Sequence, residues 1–221
     1  AKKPIAAVIG GSKISTKLAL LKNLTKTMDK LVIGGAMANT FLYAQGYSVG
    51  RSICEKNMKQ TALKILQTAK KNQCEIILPN DLVIVTEFRK QARCSVAGVD
   101  AIPDNGMAAD VGPSSVELFS AALADCRTVI WNGPIGAFET SPFDASTIGL
   151  ARQIAKLTAK KKMRSIAGGG DTVAALSHAG VANSFSYIST AGGAFLEWLE
   201  GKTLPGVAAL MQKPSGRKRR A

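Results

Sequence analysis

Four glycine clusters set the kind of backbone this chain can build. Gly10-Gly11, Gly34-Gly35, Gly168-Gly169-Gly170 and Gly192-Gly193 each close an apolar run and open a helix-like stretch. Glycine lets backbone N–H groups approach an anion with no Cβ in the way. The helix start that follows adds unpaired donors and a positive dipole end. Together the four clusters describe a phosphate-binding rim.

The segments around them repeat one unit. Ile5 to Ile9 is a strand-length apolar run, and after its glycines Ile14, Leu18, Leu21, Leu24 and Met28 recur at helical spacing. Leu31-Val32-Ile33 leads in the same way into Gly34-Gly35 and a helical stretch with Met37 and Phe41. Further helices are predicted over 57–72 and 146–160, and from the last glycine pair to Glu200. Further strands are predicted over 75–78, 82–85, 128–131, 164–167 and 186–188. Ser114-Ser115 is expected to cap a helix carrying Val116, Phe119 and Leu123. Residues 86–113 hold Gly98, Pro103, Gly106 and Gly112-Pro113 without a period, so a long functional or capping excursion is expected there.

Strands alternating with helices of this length imply an α/β fold. The expectation is a Rossmann-like, doubly wound, mainly parallel sheet with helices on both faces. Such sheets bind ligands at the carboxyl ends of their strands, where all four glycine clusters fall.

With 221 residues and 46% apolar content the chain can bury a large core. No run of about 18 apolar residues suits a membrane span, and no signal peptide is visible. The opening Ala1-Lys2-Lys3-Pro4 and a first methionine at Met28 suggest a piece of a longer protein. Cys54, Cys74, Cys94 and Cys126 lie far apart, which reads as free thiols of a cytoplasmic protein. The single histidine, His178, has no partner at a telling spacing, so Ser-His-Asp and Cys-His chemistry are disfavoured.

The net charge of +14 favours anionic partners. Part of it sits in Lys160-Lys161-Lys162 and part in Lys213 to Arg220, read as a solvated loop and a solvated tail. No aromatic residue interleaves them, which weakens a single-stranded nucleic-acid reading.

Neither common nucleotide fingerprint is present. There is no G-x-x-x-x-G-K-[ST], and Gly10-Gly11-Ser12-Lys13 lacks the G-x-G-x-x-G spacing. Gly34-Gly35 suits either a flat ring such as adenine lying on backbone or close helix–strand packing. Lys13 and Lys17, four apart, are predicted to share a face of the first helix turns, where cations oppose the dipole unless a polyphosphate sits between them. Asp171 fits an ordinary N-cap or a Mg²⁺ ligand beside bound phosphates. Glu139 reads as a ribose acceptor or as a loop-surface carboxylate.

The motifs, taken in order, are more specific. Gly10-Gly11-Ser12-Lys13-Ile14-Ser15-Thr16-Lys17, Gly34-Gly35-Ala36-Met37-Ala38, Trp131-Asn132-Gly133-Pro134, Gly168-Gly169-Gly170-Asp171-Thr172, Ser189-Thr190-Ala191-Gly192-Gly193-Ala194 and Leu204-Pro205-Gly206-Val207 resemble the motif set of the phosphoglycerate kinase family. The match is to that family's C-terminal, nucleotide-binding half and runs from Ala7 to about Leu210. It implies one nucleotide-binding domain over 1–210 and a basic tail over 211–221.

The resemblance implies that Lys13 and Lys17 contact the nucleotide phosphates and the transferring phosphoryl group, approached by Gly10 and Gly11. It places Gly34 and Gly35 under adenine and Glu139 on ribose. Asn132, Pro134, Gly136, Gly168 and Thr172 complete the nucleotide site. Gly169, Gly170, Gly192 and Gly193 offer N–H groups to the phosphoryl in flight, and Asp171 binds the Mg²⁺ of Mg-ADP or Mg-ATP. The implied reaction passes a phosphoryl group between 1,3-bisphosphoglycerate and ADP, giving 3-phosphoglycerate and ATP, and needs no general base.

A monomer is expected. The phosphoglycerate would be held by an N-terminal domain absent from this chain, leaving the isolated domain nearly inactive. Departures from the family pattern are Thr16 where an acid is usual, Ala36 and Ala191 where a third glycine is usual, and a longer, more basic tail. A stand-alone nucleotide-binding module and a nucleic-acid binder acting through that tail are the alternatives.

Overall fold

The computed structural model describes residues 1–211. The predicted basic tail from Lys213 onward lies outside the described residues.

Six strands form one wholly parallel sheet: β1 (Ile5–Ile9), β2 (Lys30–Ile33), β3 (Glu75–Ile77), β7 (Thr128–Asn132), β8 (Arg164–Gly168) and β9 (Tyr187–Ser189). Their order is β3-β2-β1-β7-β8-β9. The direction of winding therefore reverses between β1 and β7, which pair in register from Ile5 opposite Thr128 to Ile9 opposite Asn132. Such a switch point leaves a crevice at the carboxyl edge, because the connections from the two strands depart to opposite faces.

The two faces follow from the two-residue strand period. Ala6, Val8, Val129, Trp131 and Ala167 face one core with α4 (Pro113–Ala124), α5 (Ala145–Ala159) and α6 (Gly170–His178). Ala7, Ile9, Leu31, Ile33 and Ile130 face the other. That second core is closed by α1 (Leu18–Thr27), α2 (Ala36–Ala44), α3 (Lys59–Lys71) and α7 (Gly192–Leu199). Leu20, Leu21 and Leu24 of α1 are at most 1% exposed, and full burial of each such side chain stabilises by about 1.5–3 kcal/mol. A short last helix, α8, spans Pro205–Met211.

Several boundaries depart from expectation. The excursion over 86–113 contains two strands that no period announced: β5 (Cys94–Gly98) and β6 (Met107–Val111) flank β4 (Asp81–Val85) in a separate antiparallel three-stranded sheet. Their period is hidden because β5 is largely exposed, carrying Cys94, Ser95 and Val96 on the surface. The 82–85 run is therefore a strand, but not of the parallel sheet.

Ser114 and Ser115 are not the caps of α4. Its N-cap is Gly112 and Pro113 takes the first helical position. The Asp81 carboxylate reaches across from β4 to accept from the backbone N–H groups of Ser114 and Ser115, at 3.1 and 2.7 Å. The cap is supplied 33 residues away in sequence.

Candidate functional site

All four glycine clusters lie at the carboxyl ends of parallel strands, after β1, β2, β8 and β9. Within three of them the glycines divide the labour. The first of each is buried against another element: a Cβ on Gly10 would strike the Pro134 carbonyl, one on Gly34 the Ile135 side chain, and one on Gly168 the Phe195 ring. The second has the positive φ that side chains disfavour, +66° at Gly35 and +99° at Gly169, each the N-cap of the helix that follows. The second glycines are close-packed as well, since a Cβ on Gly35 would stand 2.7 Å from the Gly11 carbonyl oxygen and one on Gly169 2.7 Å from Asn132 Nδ2. A Cβ on Gly192 would stand 3.9 Å from the Gly169 Cα, so the last two clusters meet at the rim.

Lys17 is not on a shared helical face with Lys13. The chain after Gly11 forms a loop and a 3₁₀ turn over Ser15–Lys17 before α1 begins at Leu18. Lys13 remains on the exposed loop, whereas the Lys17 side chain folds back toward the switch point. Its Nζ donates to the Gly10 carbonyl at 2.6 Å and to Asn132 Oδ1 at 2.9 Å. The Asn132 Nδ2 in turn donates to the Gly168 carbonyl at 2.8 Å. One buried amide therefore connects the ends of β1, β7 and β8. Burial pushes the Lys17 ammonium down to about 8, against the opposing pull of Asp171.

The loop after β7 is held just as firmly. Gly133 N–H donates to Thr172 Oγ1 at 2.7 Å, Trp131 Nε1 donates to the Gly133 carbonyl at 2.7 Å, and Ile135 N–H donates to Thr147 Oγ1 at 3.2 Å. Asn132 and Thr172, 3% and 1% exposed, sit behind the surface and position it.

Between the parallel sheet's carboxyl edge and β6 lies a cleft of about 700 Å³. Of the predicted residues, Gly11, Lys17, Gly35, Pro134, Gly136, Glu139 and Asp171 line it. Gly10, Gly34, Gly168, Asn132 and Thr172 are buried, outside its lining. Lys13, Gly169, Gly170, Gly192 and Gly193 lie outside the lining too.

One wall was not legible in the sequence: Met107 to Val111 of β6, with Phe88 stacked on Phe143 at 5.4 Å. Asp110 belongs to it. This carboxylate is 4% exposed. It accepts from the N–H groups of Val111 and Ser146 at 2.9 and 3.0 Å and from the Ser146 hydroxyl. Burial raises it to about 7 in spite of those donors. Gly136 is glycine because a Cβ there would overlap the Asp110 carboxylate. The one available signal was the short run Met107-Ala108-Ala109-Asp110-Val111 stopped by Gly112-Pro113, which has no two-residue alternation.

An apolar wall beside a buried ammonium suits a ligand with a flat apolar part and an anionic part. Among the described residues no three carboxylate, histidine or cysteine side chains converge as a metal cage. Asp171, exposed in the first turn of α6 and lining the cleft with Lys17, fits a Mg²⁺ that draws its other ligands from phosphate oxygens and water. His178 is outside the cleft lining and pairs with Asp144 at 3.0 Å on the surface.

Comparison with known proteins agrees with this geometry. Residues 1–202 match the family described as phosphoglycerate kinase. A phosphoglycerate kinase of Rhodopseudomonas palustris is 56% identical over 211 residues, covering 96% of this chain and 53% of the relative. One from Jannaschia sp. is 57% identical over 209 residues, covering 95% and 53%. The structure of phosphoglycerate kinase from Coxiella burnetii superposes with a TM-score of 0.90 at 44% identity, covering 95% of this chain and 53% of that one. The chain spans about half the length of the curated relatives it matches. It belongs to the phosphoglycerate kinase family.

Proposed function

We propose that this chain is the nucleotide-binding part of a phosphoglycerate kinase and binds Mg-ADP and Mg-ATP in the cleft. The observation that carries the reading is Lys17. It is an ammonium withdrawn from water and aimed by Gly10 and Asn132 at the switch point, facing Asp171 across the cleft mouth. A group so placed is costly unless a polyphosphate balances it.

Adenine would lie over Gly35 against the β6 wall, and Glu139 at the cleft edge would accept from ribose hydroxyls. Lys17, Lys13 and the glycine N–H groups would surround the phosphates. Magnesium held by Asp171 would neutralise part of the phosphate charge.

In the reaction, the P–O bond to the acyl carboxylate of 1,3-bisphosphoglycerate breaks and one to the β-phosphate oxygen of ADP forms, leaving 3-phosphoglycerate. Both oxygens are anionic already, so positioning and fixed positive charge suffice. We place the phosphoglycerate half of the site on a segment outside these 221 residues, so that this chain alone is a nearly inactive monomer. A cytoplasmic setting is part of the same reading. It draws support from four free thiols, and no described helix is long and apolar enough to cross a membrane.

Titration calorimetry tests the reading. Mg-ADP is expected to bind with one site, and Asp171→Ala to remain folded while its binding loses the response to magnesium. Absence of any ADP or ATP binding would remove the proposal, and an unchanged metal response in the variant would remove Asp171 from its role.

A further inference from the structure

The opposite end of the parallel sheet carries a second cavity, of about 670 Å³, with a different character. Its lining includes Lys2, Lys3, Arg127, Lys161, Lys162 and Arg164. These six cations come from three separate stretches of sequence, 2–3, 127 and 161–164, and parallel pairing brings them together. Arg127 N–H donates to the Pro4 carbonyl at 2.8 Å, and Arg164 N–H donates to the Arg127 carbonyl at 2.9 Å. The entries to β1, β7 and β8 therefore stand side by side, and each carries positive charge. Thr128 Oγ1, donating to the Lys2 carbonyl at 2.9 Å, ties the chain start to the same edge.

Little on the protein balances this charge. Among the described residues the one carboxylate within 4 Å of these cations is Asp29, paired with Lys3 at 3.1 Å on the exposed surface. The carboxyl end of α5 attracts the cations that follow it, which accounts for Lys160 to Lys162 but not for Arg127 or Arg164. Lys161 lines the cavity from the turn that ends α5, which Lys162 N–H closes onto the Leu157 carbonyl at 3.1 Å.

We propose that this cavity is a binding site for a small multiply charged phosphate anion, separate from the nucleotide cleft. Arg164 opens β8 in register with Thr128, the residue after Arg127, so the two arginines stand at the same end of adjacent strands and line one cavity, where guanidinium groups engage phosphate oxygens through charge-assisted hydrogen bonds. The lysines close the remaining sides. The Ser186 hydroxyl supplies a neutral donor, while the Thr158 hydroxyl is engaged with the Ile154 carbonyl and Ser165 Oγ. The lining has no aromatic platform for a base, and Met163, its one apolar residue, is buried, which favours a compact anion over a nucleic acid or a membrane.

Inorganic tripolyphosphate is the probe, titrated calorimetrically into the 221-residue chain at low ionic strength with the cleft saturated by ADP in magnesium-free buffer, since the probe itself chelates Mg²⁺. One tripolyphosphate is expected to bind beside the nucleotide. Arg127→Gln with Arg164→Gln should weaken it by on the order of tenfold per guanidinium, with ADP affinity unchanged. Tripolyphosphate binding that persists undiminished in the double variant would place the anion elsewhere and overturn the site. So would absence of binding in the ADP-saturated parent. A single-stranded oligonucleotide that binds more tightly than tripolyphosphate and is lost in the same variant would overturn the small-anion assignment. Because ADP binding is read in the same samples, failure of this site is distinguishable from failure of the cleft.

Discussion

At the residue scale two buried charges govern how the cleft responds to pH. Lys17 is depressed to about 8 from an ordinary 10.5. Between those values the unfolded chain holds a proton that the folded one has released, so this group's contribution to stability rises with pH across about 8 to 10.5. A bound polyphosphate restores the ammonium. Nucleotide binding at pH 8.5 is therefore expected to take up a proton, seen as a binding enthalpy that differs between buffers of unlike ionisation heat. Lys17→Met should abolish the difference and weaken binding by about 10-fold or more. Equal enthalpies in both buffers for the parent chain would count against the role.

Asp110 titrates in the opposite sense. Its folded value of about 7 lies above the ordinary 3.8 because burial outweighs three hydrogen bonds to the carboxylate. From about pH 4 to 7 the folded protein holds the proton and the unfolded chain has lost it. The Asp110 contribution to stability is thus full below that window and declines as pH rises through it. Urea midpoints at pH 5 and pH 7.5 should differ in that direction, and Asp110→Asn should flatten the difference. A variant with the parent's pH slope would show that another group is responsible.

At the scale of elements, the junctions matter more than the elements themselves. The N-terminus of α4 is satisfied by Asp81, whose carboxylate also accepts from Ser115 Oγ at 2.6 Å. Ser115 Oγ meanwhile accepts from the N–H groups of Asn80 and Asp81, each at 3.0 Å. This closed set couples the three-stranded sheet to α4. Asp81→Ala leaves two helix-start donors short of partners, while the Ser115 hydroxyl keeps the Asp81 backbone carbonyl at 2.8 Å, and is expected to cost about 1–3 kcal/mol in urea unfolding. Ser114→Ala, whose hydroxyl engages only the exposed Asn80 side chain, should cost less than about 0.5 kcal/mol. Equal losses in the two variants would contradict Asp81 as the cap.

Legibility followed the same division. Strand, glycine turn and helix were readable wherever the pattern is local, as in Ile5 to Met28. Of the antiparallel sheet only β4 was readable, through its apolar run 82–85; β5 and β6 were not, because β5 is largely exposed and the loops that pair them carry no tight hairpin signal. Of the cleft, the glycine rim, Lys17, Glu139 and Asp171 were named from sequence, while Asp110, Phe88 and the whole β6 wall were missed.

For the molecule as a whole, the strand order decides what each end of the sheet can bind. Apolar runs of strand length, their glycines and the helical periods between them follow from short-range sterics and burial, so the sequence by itself determined an α/β chain with glycine turns at its strand ends, and its ordered motifs carried the family resemblance. The order β3-β2-β1-β7-β8-β9 rests on pairings between distant segments. Lys17 and Asn132, which meet at 2.9 Å, are 115 residues apart. That long-range order alone aims the Lys17 ammonium, sets Asp110 into the cleft wall, and gathers Lys2, Arg127, Lys161 and Arg164 around one cavity at the far end. Charges that read as a solvated loop and scattered surface residues along the chain become neighbours because parallel strands bring every entry to one edge and every exit to the other.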